Sequence, residues 1–309
     1  MNMKNLTLTL CLSLAALLGS TGTSWGADYE KGLAAYQGGD FATALREWSP
    51  LAEQGNAYAQ NNLGTLYANG WGVPKDYKTA AKWYTLAAER GVVDAQNILG
   101  FFYLNGRGVA QNYETAVKWY TLAAEQGQTG AQFNLGLLYN LGQVVLQNYE
   151  TAVKWYTLAA EQGHIRAQFN LGFLYANGRG VTQSYKTGVK WWTLAAQQGH
   201  APAEFNLGLL YANGWGVPQD YKTAAKWWTL AAEQGYVLAQ YNLGQVYLKG
   251  QGVAKNSVYA YMWADIVAVS GDQNGVRFRE KVAKDMTSAQ ITLAQDLVRE
   301  CVRKKYKGC

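Results

Sequence analysis

Apolar positions along most of this chain fall three and four residues apart, the spacing of one helix face. Two helical patterns alternate. The first reads Ala-Gln-x-Asn-Leu-Gly-x-x-Tyr, as at Ala167 to Tyr175. Leu171 and Tyr175 share a face there, and Gly172 leaves room where a neighbouring helix comes close. A glycine inside a helix costs roughly 1 kcal/mol against alanine, so its recurrence points to close packing that offsets the loss. Asn177-Gly178-Arg179-Gly180 then ends the helix, with glycine supplying a left-handed cap. The second pattern begins at an N-cap residue in every copy: Asp76, Asn112, Asn148, Ser184, Asp220 and Asn256. Its body sets Tyr149, Ala152, Trp155, Tyr156 and Ala159 on one stripe, and glycines at 91, 127, 163, 199, 235 and 271 close it. No segment alternates with the period of a strand. The pattern predicts an all-α chain of helical hairpins.

The hairpins recur on a 36-residue period. Leu-Gly stands at 63–64, 99–100, 135–136, 171–172, 207–208 and 243–244, and Trp83, Trp119, Trp155, Trp191, Trp227 and Trp263 keep the same spacing. Copies that hold one length are the mark of a solenoid, whose units bury their apolar faces only against neighbours. Six units are expected, at 56–91, 92–127, 128–163, 164–199, 200–235 and 236–271. The six tryptophans in one register read as core. Residues 28–55 form a further hairpin with a shorter turn, Gly38-Gly39-Asp40-Phe41, expected to cap the array. The third unit lacks the second loop glycine, since Leu141-Gly142-Gln143 runs into Val144, which predicts a distorted turn. Residues 272–309 read as C-terminal capping helices. Thr287-Ser288-Ala289-Gln290 is a capping box, and Ile291, Ala294, Leu297, Val298 and Cys301 lie on one side of the helix it opens.

At these residues the unit resembles the Sel1-like repeat, a relative of the tetratricopeptide repeat with a longer turn inside the hairpin. The resemblance covers about Asp28 to Gly271. It implies an α/α superhelical solenoid of Sel1-like hairpins, and Gly38-Gly39-Asp40-Phe41 is similar to a tetratricopeptide turn.

Composition adds an address. Lys4, an uncharged Leu/Ala/Thr/Ser run from Leu6 to Gly19 and a small-residue zone around Ser24-Trp25-Gly26 read as a secretory signal over 1–27. The apolar run is too short for a permanent span, so an exported protein, periplasmic or secreted, is expected. With Cys11 in the signal, Cys301 and Cys309 remain. They are too few for a disulfide framework, but an oxidising compartment permits one bridge. Cys301 late in the last helix and Gly308 as a turn residue predict a Cys301–Cys309 bond, with a bond between chains as the alternative. Charge is uneven. Asp28 to Gly275 holds 17 basic and 17 acidic residues, whereas Val276 to Cys309 holds 9 and 4. A basic stripe for nucleic acid along the repeats is therefore not expected. The basic tail (Arg299, Arg303, Lys304, Lys305, Lys307) suits a helix C-terminus and solubility, with an acidic envelope partner as the sharper reading.

No cofactor, metal or catalytic constellation emerges. The Gly-x-Gly loops follow helices rather than strands and repeat, which makes them turns and not phosphate cradles. Glu125, Glu161 and Glu233 recur at helix ends, where a solvated role outweighs a catalytic one. His164 and His200 both occupy the first position of a unit, without further ligands in view. Trp71 and Trp215 sit in loops. By the resemblance, one face of each first helix lines a concave groove. Its rows are Asn61, Asn97, Phe133, Phe169, Phe205 and Tyr241, and beside them Thr65, Phe101, Leu137, Phe173, Leu209 and Gln245. The groove would be polar at its ends and apolar in the middle, a channel for an apolar peptide. The competing reading buries these aromatics between hairpins. The function expected is a non-enzymatic protein- or peptide-binding scaffold of the envelope or extracellular space. The alternative is a penicillin-binding or β-lactamase-like activity, as in cysteine-rich relatives, which carry paired cysteines in each repeat.

Overall fold

A computed structural model describes residues 25–309. The predicted signal segment lies outside the described residues as far as residue 24. The described chain is helical throughout its regular structure, in two compact bodies, 25–147 and 148–309.

The first body contains α1 (Trp25–Gln37), α2 (Phe41–Glu53), α3 (Ala57–Asn69), α4 (Tyr77–Glu89), α5 (Val93–Asn105), α6 (Tyr113–Glu125) and α7 (Thr129–Leu141). The second contains α8 (Tyr149–Glu161), α9 (Ile165–Asn177), α10 (Tyr185–Gln197), α11 (Ala201–Asn213), α12 (Tyr221–Glu233), α13 (Val237–Lys249), α14 (Ser257–Val269), α15 (Gln273–Ala283) and α16 (Ser288–Arg303). Within each body successive helices pack as hairpins, α3 on α4 and α11 on α12 for instance, and hairpin packs on hairpin through α4 on α5 and α12 on α13. Caps set the starts. The Asp76 carboxylate accepts from the N–H groups of Lys78 and Thr79, and the Asn112 and Asn148 side chains accept from Thr115 and Thr151.

Most hairpins within the two bodies close on one device. Ala59, Leu63 and Leu66 of α3, like Ala203, Leu207 and Leu210 of α11, are fully buried. The glycine beside the leucine seats an aromatic ring from the second helix. A Cβ on Gly172 would lie 2.7 Å from Trp192, and one on Gly208 would lie 2.3 Å from Nε1 of Trp228. The glycine thus makes room for a ring, not for helix backbone. This corrects the expected core register. The buried aromatic is the residue after the repeated tryptophan: Tyr84, Tyr120, Tyr156, Trp192 and Trp228 are at most 5% exposed, while Trp83, Trp119, Trp155, Trp191 and Trp227 are half-buried. In α14 the tryptophan itself, Trp263, is buried, and the ring that meets Gly244 comes from α15, with a Cβ there 2.7 Å from Phe278. The first hairpin repeats the device with Gly32 against the Trp48 indole.

Neighbouring hairpins are joined backbone to backbone. Gly108, at φ 67°, sits so close to the start of α4 that a Cβ would lie 2.0 Å from the Tyr77 carbonyl oxygen. Val144 occupies the matching place in the third unit. Among the described residues only Lys305 and Tyr306 adopt positive φ without being glycine, so Val144 does not follow the glycine path. Leu146 in that turn is 91% exposed. Loop residues brace the joints: Trp71 stacks on Phe41 at 5.0 Å, and Trp215 on Tyr185 at 5.5 Å.

A buried amide ladder runs along the turns. Gln60, Gln96, Gln132, Gln168 and Gln240 each donate through Nε2 to an alanine carbonyl eight residues earlier, at 2.9–3.2 Å. At the C-terminal end the Thr287 capping box is made, and Ala294, Val298 and Cys301 of α16 are buried, the helix packing on α14.

Candidate binding groove

The first helix of each hairpin presents its residues differently in the two bodies. In the first, Asn61 and Asn97 are half-buried, and Nδ2 of Asn134 reaches Oδ1 of Asn97 at 3.5 Å. Phe101 and Phe133 are only 7% and 8% exposed, so they are core and not groove lining. For Phe101 the reason is visible, since the Arg107 guanidinium lies over its ring at 4.7 Å and shields it. Leu137 is half-buried and lines a small apolar cleft with Leu104, Leu141 and Val144.

In the second body Phe169 and Phe205 are half-buried and engaged by the next turn. The Phe169 ring lies 4.8 Å from that of His200, and Phe205 lies 5.3 Å from Tyr236. Their carbonyls accept from the Trp192 and Trp228 indoles at 3.0 and 3.2 Å. The histidines serve the turns: Nδ1 of His164 caps α9 by accepting from the Ala167 N–H, and the His200 ring packs tilted against Phe169. Burial, with Arg166 nearby, holds both imidazoles below their ordinary pKa. Phe173 is 40% exposed beneath the Arg179 guanidinium.

Leu209 and Tyr241 come together. Between α11 and α13 they line an open cavity of about 480 Å³ floored by Trp228 and Val246. Asn213, Asn242, Gln245, Gln251 and Lys249 also line it. Its lining has aliphatic and aromatic side chains, four amides and one ammonium, and no carboxylate. Such a volume is ordinary for a ligand site. Amides can pair with the N–H and C=O groups of an extended chain while Leu209 and Tyr241 take its side chains. Asn213 already uses Nδ2 on the Leu209 carbonyl. Asn242, the asparagine of the Asn-Leu-Gly signature, was missed among the expected lining residues. Its register, Asn62, Asn134, Asn170, Asn206 and Asn242, could have shown it.

On α11 the amide ladder is interrupted. Glu204 stands where the other units carry glutamine, 3% exposed, with Oε2 accepting from Gln234 at 2.8 Å. Burial raises its pKa to about 6, against the pull of the Gln234 hydrogen bond and of Lys307. Farther on, Cys301 and Cys309 form a disulfide, with Cα atoms 5.5 Å apart.

The Sel1 repeat profile matches this chain six times, at 57–92, 93–128, 129–164, 165–200, 201–236 and 237–266. The chain belongs to the Sel1 repeat family. Among solved structures it is similar to a Sel1 repeat protein from Oxalobacter formigenes, with 34% identity and a TM-score of 0.66, over 78% of this chain and 96% of that one. It is also similar to a protective antigen of uropathogenic Escherichia coli with an SLR fold, at 30% identity and a TM-score of 0.59, over 91% of this chain and 69% of that one. A comparison with curated proteins finds no match. Sel1 repeats are helical scaffolds that typically mediate protein interaction, and the hairpins described above are of that kind. No helix among the described residues is long and apolar enough to cross a membrane.

Proposed function

We propose that this Sel1 protein is a non-enzymatic scaffold of the cell envelope or extracellular space that holds a protein or peptide segment in the groove of its repeats. The observation that carries the reading is the cavity between α11 and α13, where Leu209 and Tyr241 meet a rim of amides. The predicted signal segment supports export, and so does the disulfide, since such bonds persist in oxidising compartments. That one relative is a protective antigen fits a protein that leaves the cytoplasm.

The test compares the full chain with an Asn213→Arg, Gln245→Arg variant in pull-downs from envelope extract. Both residues line the cavity and neither is buried, so the melting temperature should hold while bulk and charge fill the space. Protein captured by the wild type and lost by the variant supports the reading. Identical capture by both would place binding elsewhere. Turnover of nitrocefin by the purified chain would overturn the non-enzymatic part.

A further inference from the structure

The last residues of the chain do not trail away from α16. Gly308 donates its N–H to Oε1 of Glu233, 75 residues earlier, at 3.0 Å. The Tyr306 ring lies 3.4 Å from the place where a side chain on Gly235 would begin. The tail therefore lies on the turn between α12 and α13. It is held there under strain. Lys305 and Tyr306 take φ values of 51° and 67°, a left-handed conformation that residues bearing a Cβ rarely keep without restraint. The disulfide supplies the restraint by tying Cys309 to the buried Cys301.

This tail and the groove cavity share one core. Val298 and Cys301 are buried in the same apolar cluster as Trp228 and Val246, the cavity floor, and Tyr306 and Cys309 pack on its edge. We infer that the Cys301–Cys309 loop is a redox-operated clasp, which when oxidised locks the tail onto the α12–α13 turn and firms the cavity floor, and when reduced releases both. Opening takes two electrons and two protons from a dithiol reductant. The reductant's sulfurs become a disulfide as Cys301 and Cys309 become thiols. Once open, the tail is left with the Gly308–Glu233 hydrogen bond, the packing of Tyr306 on Gly235 and the core edge, and the attraction of Lys307 for Glu204, against two unfavourable backbone conformations, and without the tether it comes away. The inference does not depend on what the cavity holds.

Hydrogen exchange on the full chain, oxidised and then treated with a dithiol, tests it. Peptides covering 299–309 should exchange about tenfold faster or more after reduction, peptides covering 226–246 should follow to a smaller degree, and α3 to α6 should stay unchanged. Cys309→Ser, which cannot close the loop, should behave as the reduced wild type without reductant. Tail protection that survives both reduction and Cys309→Ser would overturn the clasp. So would faster exchange through the whole array, which would mean that reduction unfolds the protein. Release of the tail with 226–246 unmoved would overturn the coupling to the cavity. Two free thiols in the native exported protein, found by mass spectrometry, would remove its basis.

Discussion

Replacing Glu204 with glutamine should stabilise the protein above neutral pH, although it removes a charge from its surroundings. The other glutamines of the ladder donate to an alanine carbonyl eight residues back, which for position 204 is Ala196. An ionised carboxylate has no proton to donate there. Burial raises the Glu204 pKa from its ordinary 4.5 to about 6. A group whose folded pKa lies above its unfolded value costs stability in its ionised form, and the cost grows as pH rises from about 4.5 through 6. At 1.36 kcal/mol per pKa unit, the full penalty is about 2 kcal/mol. The amide in its place adds the missing hydrogen bond, about 1 kcal/mol net. Glu204→Gln should therefore gain about 2–3 kcal/mol at pH 7.5, read as a higher urea midpoint. The gain should shrink to less than about 0.5 kcal/mol at pH 4.5, where wild-type Glu204 is largely protonated and can donate. A Glu204→Gln protein no more stable than wild type at pH 7.5, or a gain that does not depend on pH, would refute the reasoning.

Two phenylalanines expected in one row should part company. Phe101→Glu places a carboxylate in the core and should cost at least about 3 kcal/mol in denaturant melts. Phe173→Glu, at an exposed site beneath Arg179, should change stability by less than about 1 kcal/mol. Equal losses would mean that both rings are core. Gly208→Ala gains helix propensity but drives a methyl into the Trp228 indole, so overpacking should leave it about 1–3 kcal/mol less stable. A stabilised Gly208→Ala, found by thermal melting, would show that the ring can move aside.

The fold was legible because the repeat states its own grammar many times over. Caps at Asp76 and Asn112, glycines at loop ends and a 3–4 apolar period agree in every unit, and local signals that agree specify a hairpin with little help from distant contacts. The core register was harder. Trp119 and Tyr120 are adjacent and both aromatic, and a pattern of apolar residues cannot say which ring faces the glycine. The tryptophan's larger size favoured the wrong one. The groove was half legible. Its rows could be counted along the sequence, but whether a ring in a row is open depends on what the next turn lays over it. Arg107 covers Phe101 and His200 meets Phe169, while Leu209 and Tyr241 are left facing a cavity. Those partners come from turns, whose residues vary between units. Nothing local distinguishes Glu204 from a surface glutamate. Its burial follows from the register it shares with Gln168 and Gln240.

The two kinds of glycine contact also bear on how such a chain can grow. The ring seat, Gly208 with Trp228, lies wholly inside one hairpin and travels with it when the hairpin is copied. The joint to the neighbour, Gly108 against the Tyr77 carbonyl, is read from main chain to main chain, and every sequence offers that surface alike. A duplicated 36-residue cassette thus arrives with its ring seat complete, and at the joint it meets main chain and an aromatic that the repeat itself supplies, Tyr185 under Trp215 for instance, at Tyr77, Tyr113, Tyr149, Tyr185 and Tyr221 alike. Lengthening or shortening the array by whole units then needs no matched second mutation there, which leaves the groove residues free to diverge cassette by cassette.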